Sequence, residues 1–75
     1  LASAILGLWR EVLGNSDIKL TDQFIPSGGD SLTAVRLADM LSIKFEIDFS
    51  VLDIFDFPSP SSQAAEVNKR LNGLT

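Results

Sequence analysis

The sequence predicts an all-α fold: a small bundle of three main helices plus one short helix, with a long first loop. Three observations carry that expectation. Apolar residues recur at helical spacing in separated stretches. Residues that start and stop helices stand at the edges of those stretches. No segment shows the apolar–polar alternation of a half-buried strand.

The first helix is expected over residues 3–13, where Ile5, Leu8, Trp9 and Val12 follow the i, i+3, i+4, i+7 rule. Gly14 and Asn15, which tolerate left-handed backbone, end it. Residues 15–29 form a connection too long to be idle in a compact domain, expected to be pinned by Ile18, Leu20, Phe24 and Ile25. Asp30 can cap the second helix, about residues 31–44. On that helix Leu37, Ala38 and Leu41 share one face, and Leu32, Val35 and Asp39 another. Residues 45–49 connect to a short helix at about 50–56, which Pro58 stops. Ser59 then caps the last helix with Pro60 at its first position, where a missing N–H costs nothing. That helix runs to about Leu71, with Ala64, Val67 and Leu71 turned inward and Gly73 as terminator. The expected core is Trp9, Leu13, Phe24, Leu37, Leu41, Ile54 and Val67. The other reading of Trp9 is an exposed partner anchor.

Composition excludes several functions. The chain has 75 residues and is read as one small domain, 1–75, cut from a longer protein, since it opens on Leu1 with a helical pattern at once. There is no Cys and no His, so zinc fingers, iron–sulfur sites, thiol catalysis and a Ser-His-Asp triad within this chain are impossible. Freedom from cysteine fits a reducing compartment, and a cytoplasmic location is expected. The net charge is −4, and the Lys and Arg residues are scattered, so no nucleic-acid surface and no polybasic membrane patch is expected. No apolar run approaches the ~20 residues that span a bilayer. Asp53 and Asp56 are read as a solvated acidic face rather than a catalytic pair.

One motif is left: Gly28-Gly29-Asp30-Ser31-Leu32. The glycines let the backbone turn tightly and leave room beside it. Ser31 then stands at the first turn of a helix, where free N–H groups and the positive dipole end favour an anion such as a phosphodiester. Taken alone, the pentapeptide reads rather as a glycine turn before a capped helix, with Ser31 adding only a hydrogen bond.

The wider sequence resembles the acyl and peptidyl carrier protein family, the phosphopantetheine-binding thiolation domains. The residues that carry the resemblance are Trp9 to Gly14 (WREVLG), Leu20 to Ile25 (LTDQFI), Gly28 to Leu32, then Ala34, Arg36 and Leu37, and finally Ile54-Phe55-Asp56 and Pro58-Ser59. Gly28-Gly29 and Arg36-Leu37 are similar to the peptidyl carriers of nonribosomal peptide synthetases. Ile25, Pro26-Ser27, Ser50 and Pro60 depart from that pattern. The resemblance implies an acyl-carrier-protein-like bundle with no catalysis of its own. It implies that Ser31 holds 4'-phosphopantetheine taken from coenzyme A, with Gly29, Asp30 and Leu32 forming the attachment motif. Its partners would be a phosphopantetheinyl transferase and adenylation, condensation, thioesterase or reductase domains, which a monomer would visit in turn. Phe24, Ile25, Leu32, Val35, Arg36 and Leu52 are the expected partner-binding residues, with Asp39 tuning partner choice. The competing readings are an acyl carrier of a polyketide, fatty-acid or adenylate-forming reductase system, and an unmodified helical interaction module.

Overall fold

A computed structural model describes residues 1–73 and contains α1 (Ala2–Leu13), α2 (Ser31–Phe45), α3 (Val51–Asp56) and α4 (Pro60–Leu71). Among the described residues there is no strand. α1 packs on α2 and α4, and α3 packs on α2.

Helix ends follow local chemistry. Gly14 adopts φ 62° and its N–H donates to the Arg10 carbonyl, closing α1. Asp30, Ser50 and Ser59 cap α2, α3 and α4, each accepting from the backbone N–H three residues on. At each cap the third helical residue also accepts, through its side chain, from the cap backbone N–H. The end of α2 has no glycine. Glu46 itself takes the left-handed conformation at φ 53°. The Ser42 hydroxyl holds the chain there: it donates to the Phe49 carbonyl at 2.9 Å and accepts from the Phe49 N–H at 3.1 Å.

The core is centred on Trp9, Phe24, Leu37, Leu41, Ile54 and Val67, with Ile5, Ile18, Ala34 and Phe49. Trp9 is fully buried, which removes its reading as an exposed anchor. Two residues expected inward differ. Leu13 is only half-buried, because the last turn of α1 lies at the edge of the bundle before the chain leaves at Gly14. Leu71, at the last turn of α4, is exposed.

Polar bonds knit the elements together. Trp9 Nε1 donates to Gln63 Oε1 at 2.8 Å, and Gln63 Nε2 donates to the Phe57 carbonyl at 2.9 Å. The long loop is pinned by main-chain bonds as well as by apolar residues. Arg10 donates to the Ile18 carbonyl, Phe24 N–H to the Pro58 carbonyl at 2.8 Å, and Ser61 N–H to the Leu20 carbonyl at 3.0 Å. Ile18 and Phe24 are buried, whereas Leu20 and Ile25 face solvent.

Asp53 is not part of a solvated acidic face. Both its oxygens accept from Arg70 at 3.0 Å, and Oδ2 also accepts from the Ser50 N–H at 2.8 Å. Arg70 further bonds Glu66 and the Asp48 carbonyl, and lies 4.9 Å over the Phe49 ring. One side chain thus joins α4 to α3 and to the segment before it. Asp56 stays exposed.

Candidate functional site

Ser31 is the first residue of α2 and is exposed. The capping bonds around it run between its neighbours: Thr33 N–H to Asp30 Oδ1 at 2.9 Å, and Asp30 N–H to Thr33 Oγ1 at 2.8 Å. Five other serine hydroxyls are engaged in hydrogen bonds. Ser42 bonds Phe49, Ser50 bonds Asp53, and Ser59 bonds Ser61 and Ser62. Ser31 therefore presents a primary hydroxyl that accepts a covalent group without breaking any contact of the fold.

The sequence predicts both a cap, Asp30, and an anion-favouring helix start here. The Asp30 carboxylate accepts from the Thr33 N–H, so one negative charge already stands at that start. The Thr33 backbone N–H, then the Thr33 hydroxyl, hold the Asp30 carboxyl below its usual range, so it is an anion at neutral pH. A phosphodiester on Ser31 would stand beside this carboxylate and outside the capped turn.

The two glycines before Asp30 serve different ends. Gly28 has φ 101°, which only glycine adopts readily, and open space where a side chain would be. Gly29 has no such backbone demand. A Cβ there would fall 2.5 Å from Phe24 Cδ2 and 2.7 Å from the Phe24 carbonyl oxygen. The room beside Gly29 is filled by the protein itself.

Phe24 must accordingly be withdrawn from the partner-binding set, because it is 1% exposed. Its ring meets Trp9 edge-on at 5.4 Å and Phe55 at 6.1 Å, so it belongs to the core beneath the loop. The other candidates lie at the surface. Leu32 is 71% exposed, Val35 44%, Ile25 57% and Leu52 74%, and Arg36 and Asp39 are exposed. Leu32 and Val35 sit one turn apart on α2 after Ser31, and Leu52 is on α3, which packs against α2.

Sequence reasoning did not find Gln63 or Arg70. A glutamine amid Ser and Ala reads as a solvated helix residue, and Arg70 with Glu66 gives only an ordinary i, i+4 pair. A depression of about 590 Å³ lined by Glu46, Ile47, Asp48, Ser50, Asp53 and Arg70 lies toward the far end of α2. It is roughly 20 Å along the helix from Ser31. Among the described residues no helix is long and apolar enough to cross a membrane.

Comparison with known proteins follows the same geometry. The family described as "Phosphopantetheine attachment site" matches residues 3–67. The nonribosomal peptide synthetase atnA of Emericella nidulans is 38% identical over 64 residues, covering 85% of this chain and 1% of that protein. The chain therefore spans a very small part of that relative's length. BlmI, a type-II acyl-carrier protein from Streptomyces verticillus involved in bleomycin biosynthesis, superposes with TM-score 0.89 at 18% identity. That match covers 93% of this chain and 84% of BlmI, and shows a common fold. NpsA-ThdA, an artificially fused adenylation–PCP di-domain from Klebsiella oxytoca, superposes with TM-score 0.78 at 29% identity, over 92% of this chain and 13% of the fusion. An exposed serine on a glycine-led, capped helix, in a bundle that superposes on a carrier protein and is matched over 3–67, places this chain in the phosphopantetheine attachment family of carrier domains.

Proposed function

We propose that Ser31 holds the 4'-phosphopantetheine arm and that the chain is a thiolation domain of a longer, nonribosomal peptide synthetase-type protein. It tethers aminoacyl or peptidyl intermediates as thioesters and carries them between catalytic domains. The observation that carries this reading is the exposed Ser31 hydroxyl at the start of α2, bypassed by the Asp30–Thr33 capping bonds. Gly28-Gly29, Arg36-Leu37 and the similarity to a nonribosomal peptide synthetase favour the peptidyl type.

Loading joins Ser31 Oγ to the phosphorus of coenzyme A that bears the pantetheine. The P–O bond to the other phosphate breaks, adenosine 3',5'-bisphosphate leaves, and the hydroxyl proton passes to a base on the transferase. The bound arm supplies a terminal thiol that holds the cargo as a thioester. This chain presents the hydroxyl, keeps the loop rigid and offers Leu32, Val35, Ile25 and Leu52, with Arg36, as the surface that visiting domains touch. It performs no catalysis alone.

The test is mass spectrometry after incubation with a broad-specificity phosphopantetheinyl transferase and coenzyme A. The parent should gain one arm, located at Ser31 by fragmentation, and Ser31→Ala should gain none while keeping the parental melting curve. An arm on Ser31→Ala, or none on the parent, rejects the assignment.

A further inference from the structure

Phe24 lies seven residues before Ser31, yet it is the residue on which the attachment loop rests. Its N–H donates to the Pro58 carbonyl at 2.8 Å, and its carbonyl accepts from the Gly29 N–H at 2.9 Å. Its ring is held edge-on by Trp9 in α1 and by Phe55 in α3. Trp9 is in turn fixed by Gln63 of α4. The ring is thus restrained from several elements.

Gly29 lies on that ring and carbonyl. Its backbone is not in the left-handed region, so space alone demands glycine there. A Cβ at 2.5 Å would have to retreat to about 3.4 Å for ordinary contact, a shift of roughly 1 Å. With the ring fixed, the chain moves instead. Asp30 and Ser31 are the next two residues of the chain and follow.

We infer that Gly29 and Phe24 form a positioning pair that sets, from the core, where the Ser31 hydroxyl stands for the transferase. The inference rests on Ser31 as the attachment residue. Neither member of the pair touches the arm. Phe24 supplies a fixed floor, and Gly29 lets the loop reach it. Misplacing a reacting group by about 1 Å costs on the order of 100-fold in rate.

The experiment measures transferase kinetics, with the carrier as the varied substrate, on the parent, Gly29→Ala, Phe24→Leu, the double variant and Val67→Ala. Val67 is fully buried in α4, outside the loop, so Val67→Ala reports what loosening the core does by itself. Gly29→Ala should still load to completion on Ser31, with kcat lowered roughly 10- to 100-fold and KM changed far less. Val67→Ala should melt earlier yet load with parental kcat wherever it is folded. The double variant should lose less than the product of the two single losses, because both act through one contact. In the apo proteins, amide NMR shifts of residues 30–33 should move in Gly29→Ala and Phe24→Leu, but not in Val67→Ala. Parental kcat in Gly29→Ala, equal slowing in Val67→Ala, or multiplying losses in the double variant overturns the positioning pair alone. A parent that takes no arm at Ser31 overturns the attachment reading and this one with it.

Discussion

Asp53 caps α3 through the Ser50 N–H and grips Arg70 with both oxygens. The hydrogen bonds from Arg70 hold its carboxyl below the ordinary 3.8, against a smaller opposing effect of burial. A carboxylate whose folded pKa is depressed stabilises the fold above its unfolded value, and that stability is lost as pH falls through the folded value. Bidentate geometry and partial shielding place the pair at on the order of 1 kcal/mol after solvent screening. Asp53→Asn should therefore melt about 4–8 °C below the parent at neutral pH. The difference should hold down to about pH 4 and close progressively below it. Thermal melts of both proteins between pH 7 and pH 2 check this, and a gap that widens on acidification contradicts it.

The helices are joined by one buried polar bridge, Trp9 to Gln63 to the Phe57 carbonyl. Both side chains are fully buried, so breaking the bridge from one side strands a polar atom in the core. Trp9→Phe leaves Gln63 Oε1 without its donor, and Gln63→Met leaves the indole N–H without its acceptor and the Phe57 carbonyl without its donor. Each should cost ~1–3 kcal/mol from the stranded groups, besides any lost packing. The double variant removes both ends of the Trp9–Gln63 bond, so its loss should fall short of the sum by more than ~0.5 kcal/mol. Urea unfolding of the four proteins measures this, and additive losses would mean that the bond contributes little. Element boundaries, by contrast, were legible beforehand. Asp30, Ser59 with Pro60, and Gly14 stand at helix ends for reasons local to each residue.

Across the whole molecule, Leu32 and Val35 face solvent while Leu37 and Leu41 on the opposite side of α2 are fully buried. Such a helix carries two kinds of apolar residue, and stability assays separate them. If visiting domains touch the exposed pair, Leu32→Ala and Val35→Ala should slow arm transfer and adenylation-domain loading several-fold, with melting temperatures within about 2 °C of the parent. A shuttle has to release each partner, so the contact should be small and the effect modest. Melting temperature and loading rate measured on the same preparations decide it. Unchanged rates, or rates that fall only with the fold, reject the docking face.

By itself the sequence determined the number, order and limits of the helices, because spacing and capping are local properties of the chain. The resemblance also led to Ser31, since the attachment motif is contiguous. It left Phe24 with two incompatible roles, core and docking surface, because an aromatic residue in a loop carries no mark of which way it points. Only the tertiary structure decided that, by closing Trp9, Phe55 and Gly29 around the ring. It likewise gave Asp53 to Arg70, 17 residues away, and Gln63 to Trp9, 54 residues away. These pairings depend on how the helices are laid against one another, and that arrangement is set by burial of the whole core rather than by any one segment.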